Sequence, residues 1–201
     1  MAYSQNSEEQ EIIKYFNGKI GTFLSIGEND GKTLSNVRAL AELGWKGVLV
    51  EPSPKAFALL KENYKDMEGF YFYNFALGVT NGNVKMWDSG KHLGNDDGGL
   101  LSTLVESDYN KWKPTTEFTE IEVQCFRWKT FLNRLTLKTF DFISCDAEGL
   151  DYEIMKQIDL RDTSCVCVEY NGDGNLKDQF NKLMIGFKLI HSNGENLLYG
   201  R

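Results

Sequence analysis

Two glycines and a carboxylate set out the first chemistry of this chain. Gly27 and Gly31 bracket Glu28-Asn29-Asp30 directly after the apolar residues 23–26, and Glu51 follows a second apolar run, residues 47–50, twenty positions beyond Gly31. An apolar run that ends in glycines reads as a strand covered on both faces, bending where any Cβ would intrude on a ligand. An acidic side chain about 20 residues after such a turn can accept both hydroxyls of a ribose. Leu34, Val37, Leu40 and Ala41 then fall at helical spacing. Strand, tight turn and helix N-terminus together form the place where open α/β sheets hold nucleotide-like ligands.

The turn reads Gly-x-Asn-x-Gly, which departs from the G-x-G-x-x-G pattern of dinucleotide sites. That spacing points away from a nicotinamide cofactor and toward a nucleoside without a pyrophosphate, with S-adenosylmethionine as the candidate. The competing structural account makes Glu51 a cap for the following helix and the glycines a simple turn.

Around these positions the chain alternates helix and strand. A short amphipathic helix is expected over 7–16. Ser53-Pro54 starts a helix with a hydroxyl at the cap and proline at the first position. An aromatic strand is expected over 70–77 and an antiparallel addition over 83–88 after the Asn81-Gly82 turn. Residues 89–118 break the alternation with Gly90, Gly94, Gly98, Gly99 and Asp96-Asp97. A polar loop of that length is functional or disordered; a lid over a substrate is the favoured account and a disordered insertion the alternative. It carries His92 and the apolar pair Leu100-Leu101. Strands are expected over 120–127, 140–145 and 164–168, helices over 129–135, 151–158 and 176–184, and a closing hairpin over 186–191 and 196–199. The fold class is therefore α/β: a doubly wound, mostly parallel, seven-stranded Rossmann-like sheet with a C-terminal antiparallel hairpin, in three αβα layers. All 201 residues are expected to form one domain, with the lid of 89–118 inside it.

Composition narrows the partners. A net charge of −7 with only five Arg argues against nucleic acid as the main partner. No stretch approaches the roughly 20 apolar residues of a membrane span, and the polar, acidic start is unlike a secretory signal. Cys125, Cys145, Cys165 and Cys167 lie in apolar or alternating runs without metal or redox spacing, so they read as core thiols in a reducing cytosol. No oligomeric state is assigned.

Several blocks together resemble the FkbM-type family of class I S-adenosylmethionine-dependent methyltransferases. They are Ser4-Gln5 with Glu8-Glu9, residues 27–31 with Ser35-Asn36, Gly44-Trp45-Lys46-Gly47, Glu51-Pro52-Ser53-Pro54, Ala76-Leu77-Gly78, and residues 140–149 ending Asp146-Ala147-Glu148-Gly149. One position departs: family members often carry Asp where this chain has Ser25. The resemblance implies methyl transfer, most simply to a hydroxyl of a sugar, glycan or small metabolite. A non-catalytic nucleoside-binding scaffold on the same fold is the alternative, and an oxidoreductase on a similar sheet is weaker. The implied cofactor residues are Ser25, Gly27, Asn29, Asp30, Gly31, Ser35, Asn36, Glu51, Pro52, Asn74, Ala76 and Asp146, with Glu51 on the ribose and residues 74–76 around the adenine. An alcohol acceptor needs a base. Asp146, Glu148 and Glu169 are the catalytic candidates; His92 is undetermined, and His191 reads as structural. Asp146, Glu169 and Asn171 faintly resemble the magnesium set of catechol O-methyltransferase-like enzymes, but no metal is assigned.

Overall fold

The computed structural model describes residues 3–201. Its first half runs α1 (Glu8–Phe16), β1 (Thr22–Ile26), α2 (Arg38–Glu42), β2 (Lys46–Val50), α3 (Pro54–Asn63), β3 (Phe70–Tyr73), β4 (Ala76–Leu77), β5 (Gly82–His92) and β6 (Asn95–Asp96). The second half runs α4 (Glu106–Trp112), β7 (Thr116–Phe126), α5 (Trp128–Leu132), β8 (Phe142–Cys145), α6 (Asp151–Met155), β9 (Cys165–Glu169), α7 (Gly174–Leu183), β10 (Lys188–Ser192) and β11 (Asn196–Gly200). Seven strands make one sheet in the order β10-β11-β9-β8-β1-β2-β3. Only β11 runs against its neighbours, pairing antiparallel with both β9 and β10. The expected doubly wound sheet and closing hairpin are both present.

Because side chains alternate across a strand, each central strand feeds two cores. Leu24, Ile26, Val48, Val50, Ile143 and Val166 face one side, where they pack with Phe131, Ile154, Met155 and Phe180 of α5, α6 and α7. Phe23, Leu49, Phe142 and Cys165 face the other, against Ile12, Phe16, Leu40 and Leu60 of α1, α2 and α3. Runs that are apolar at nearly every position are thus strands buried on both faces. All four cysteines are free and buried.

Three sequence expectations are corrected. The helix after the glycine turn begins only at Arg38, not near Thr33. The Asp30 carboxylate accepts the N–H groups of Lys32 (2.8 Å) and Thr33 (2.7 Å), a local alternative to helix, and Leu34 takes a left-handed φ of 57°. The 70–77 strand divides at Asn74, so that β3 stays in the main sheet and β4 leaves it. Residues 89–118 are not a long loop. They continue β5, form β6 and α4, and enter β7, within a second sheet ordered β4-β7-β5-β6. The strand expected over 120–127 lies there too. This sheet exposes one face to solvent, so its polar and glycine content hides its strands. Its inner side is fixed by packing: Trp87 stacks on Tyr109 with centroids 4.7 Å apart, and Trp87 and Thr103 exchange backbone hydrogen bonds of 2.9 and 3.0 Å.

Candidate active site

A cavity of about 380 Å³ opens at the carboxyl ends of β1, β2, β8 and β9, where an α/β sheet holds ligands. Its roof comes from the second sheet, the 97–104 segment and the end of α4, through Met86, His92, Leu100, Leu101, Leu104 and Trp112. Of the residues implied by the sequence, Ser25, Gly27, Asn29, Ser35, Asn36, Glu51, Pro52, Ala76, Asp146, Glu148 and Glu169 all line it.

Asp30, Gly31 and Asn74 are not among the lining residues. Asp30 closes its own turn, as described above. A Cβ on Gly31 would overlap Leu60 and Tyr64, so this glycine is required by packing onto α3. Asn74 Nδ2 donates to the carbonyls of Glu51 (2.8 Å) and Pro52 (3.0 Å), holding the β2 end in place. Gly27 also serves the fold: at φ 74°, a Cβ there would overlap the Asp146 carbonyl oxygen just past β8.

Glu51 is a pre-set acceptor. Its Oε2 accepts the Asn29 N–H at 2.8 Å and its Oε1 the Ser53 N–H at 2.7 Å, leaving further lone pairs on both oxygens. The cap expected of Glu51 under the structural account falls to Ser53, whose Oγ accepts from Ala56 N. Burial pushes Glu51 up to about 7, against the hydrogen bonds from Ser53 and Asn29. Phe75, beside Ala76 on the same wall, is locked edge-on between Phe126 (4.9 Å) and Phe131 (5.0 Å).

Across the cavity, one carboxylate oxygen from each of Asp146, Glu148 and Glu169 lies within 4.8 Å of the others, a spacing that oxygen ligands of a divalent ion could also adopt. Asp146 follows β8 and Glu169 ends β9, its parallel neighbour. Glu148 is brought in by a left-handed turn, φ 45°, followed by Gly149 at 97°. Asp151, 2% exposed, fastens that turn by accepting the N–H groups of Ala147 (2.9 Å) and Gly149 (3.3 Å). Thr103 Oγ1 donates to the Glu148 carbonyl at 3.0 Å, tying the roof to the turn. Burial first, then repulsion from neighbouring carboxylates, raises all three carboxyls: Asp146 to about 8, with Asp151 its first charged neighbour, and Glu148 and Glu169 chiefly against Asp146. Asn171 lines the same cavity, while His191 stands outside it.

Sequence reasoning missed Glu28, Ser144, Trp112 and Glu195 on these walls. Glu28 lay in plain view inside the glycine turn, but nothing in the pattern says that its side chain folds inward. Glu195 arrives through the hairpin turn, where Gln5 Nε2 donates to it at 2.9 Å.

A model of the FkbM methyltransferase domain matches residues 25–187. Among solved structures, a precorrin-6y C5,15-methyltransferase from Geobacter metallireducens superposes with a TM-score of 0.55 at 10% identity, over 98% of this chain and 88% of that one. A ribosomal protein L11 methylase from Lactobacillus delbrueckii gives 0.50 at 12% identity, over 97% and 77%. The N-terminal domain of human METTL16 gives 0.51 at 12%, over 96% and 66%. At such identities the likeness is one of fold. No curated protein sequence matches.

Proposed function

The chain belongs to the FkbM methyltransferase domain family, and on that premise we propose that it methylates a hydroxyl of a sugar, glycan or small metabolite with S-adenosylmethionine. The observation that carries this is the pairing, across one cavity, of a pre-set ribose acceptor with a carboxylate trio of raised basicity. Glu51 offers two oxygens to the ribose diol. Among the described residues, Asn29 Oδ1 is buried without a donor, and a nucleoside or amino-acid group would supply one. Pro52, Phe75 and Ala76 give a flat apolar wall for the base. The residues therefore fit the cofactor, with Gly27, Ser25, Ser35 and Asn36 along the methionine side.

When bound, the cofactor supplies an electrophilic methyl group. The protein's part is to place the acceptor, which can be worth roughly 7–11 kcal/mol, and to remove a proton. Asp146 and Glu169, at adjacent strand ends, reach one acceptor from two sides. A carboxyl raised toward neutrality is a stronger base than an exposed one, and thus suited to a hydroxyl proton lost late in the transfer. Among the lining residues there is no Lys or Arg, a poor match to phosphate-rich acceptors. Leu100 and Leu101 on the roof would close over the acceptor as a lid.

Two measurements test this together: calorimetric titration with S-adenosylhomocysteine, and transfer of labelled methyl to a panel of hydroxylated sugars, metabolites and RNA. Binding with transfer to a hydroxyl is expected. Absence of heat would leave a scaffold, and label entering only RNA would overturn the acceptor class.

A further inference from the structure

The Glu28 side chain turns back across the end of β1 instead of leaving the glycine turn for solvent. It is 4% exposed and stands on the cavity wall. Its Oε1 accepts from Ser35 Oγ at 2.6 Å, and its Oε2 accepts from Ser25 Oγ in a short hydrogen bond. The Ser35 proton is fixed toward the carboxylate, because the same oxygen accepts the N–H groups of Val37 (3.2 Å) and Arg38 (2.9 Å). Among the described residues, no Lys or Arg forms an ion pair with Glu28. Arg38, whose charge acts on it, is engaged with Glu42 and the Asn63 carbonyl.

A buried carboxylate without a counter-ion is costly, and burial raises Glu28 to about 7. Two serines hold it in one place, which a merely tolerated charge does not require. A ligand cation would relieve the cost, and the topology indicates which one. Glu51 ends β2 beside Pro52, Phe75 and Ala76. The Glu28 N–H meets the Val50 carbonyl of β2 at 3.2 Å, but its carboxylate is drawn across the end of β1 by Ser25, whose register partner on β8 is Ser144, the acceptor of a 3.2 Å hydrogen bond from Asn36. The carboxylate therefore faces the part of the cavity away from the nucleobase wall.

Given S-adenosylmethionine in this cavity, we infer that Glu28 is a cofactor-binding residue that receives the α-ammonium of the methionine moiety, its carboxylate replacing the acidic side chain that position 25 lacks. Ser25 and Ser35 are its positioning residues. The carboxylate stands three residues along the turn from position 25, and Ser25 donates to it.

Calorimetry with two ligands separates this role from general damage. S-Adenosylhomocysteine carries the ammonium; 5′-methylthioadenosine has the same nucleoside and no amino-acid part. Glu28→Gln, close in shape, is expected to weaken S-adenosylhomocysteine more than tenfold and to leave methylthioadenosine within about twofold. The double variant Ser25→Asp/Glu28→Ala, which returns a carboxylate to β1, is expected to recover much of the loss and remains informative if the Gln variant does not fold. Equal effects on both ligands, or none on either, would overturn the ammonium assignment while leaving the cofactor reading intact. If the unaltered protein binds neither ligand, the cofactor reading fails first and this inference with it.

Discussion

Glu51→Ala removes an acceptor that the backbone has already oriented. Each hydrogen bond to a charged acceptor contributes roughly 1.5–3 kcal/mol, so two ribose hydroxyls set an upper range of about 3–6 kcal/mol. The cavity is open, and water entering the variant would satisfy the diol in part; a loss of about 1.5–3 kcal/mol is the reasoned value, or roughly 10- to 150-fold in Kd. The substitution also strips the Asn29 and Ser53 N–H groups of their partner, so Glu51→Gln, which keeps one carbonyl oxygen, serves as the milder comparison. Calorimetry with S-adenosylhomocysteine and its 2′-deoxy analogue gives a cycle of four affinities. The protein should discriminate the two ligands, and Glu51→Ala should not. Unchanged affinity in the variant, or undiminished discrimination, would refute the ribose assignment.

Asp146→Asn is expected to lower kcat for the identified acceptor by at least about 100-fold, within the usual range for a lost general base, while S-adenosylhomocysteine affinity changes far less; equal losses would make Asp146 a cofactor holder. Leu101→Asp should cut kcat/KM for that acceptor about tenfold or more by removing apolar contact, without weakening S-adenosylhomocysteine; an unaltered kcat/KM would separate the roof from the acceptor. Burial raises Glu28 and Glu51 to about 7 and Asp146 to about 8, so the folded chain keeps protons that the unfolded chain releases near its ordinary carboxyl values of 4.5 and 3.8. Stability present below those values is lost as pH rises through about 7–8; the melting temperature of the ligand-free protein should fall from about pH 5.5 to pH 8, and a rise would contradict it. Gly27→Ala forces a side chain into a left-handed position against the Asp146 carbonyl; the conformation alone costs roughly 1–2 kcal/mol, and denaturant unfolding should show at least that loss.

The sequence by itself determined the sheet, because runs 23–26, 47–50, 140–145 and 164–168 are apolar except at Ser25, Asp141, Ser144 and Ser164, and burial on both faces explains that. It also placed the cavity: chain direction puts Glu51, Asp146 and Glu169 at carboxyl ends of parallel strands, wherever the remaining contacts fall. Local pattern failed where long-range pairing decides. The strands of the second sheet pair residues such as Lys85 with Glu122 and show one face to water, so strands are expected only over 83–88 and 120–127, and the end of β5, β6 and the start of β7 read as polar loop. Asp30 and Asn74 carry ligand-binding side chains, but nearby backbone groups claim them. Glu28 turns inward only because Ser25 and Ser35 meet there in space, and Glu195 reaches the rim only through the folded hairpin. Short-range sequence fixes which backbone a residue joins; the direction of its side chain depends on which partners meet it in space, near or far along the chain, and tertiary packing alone supplies that.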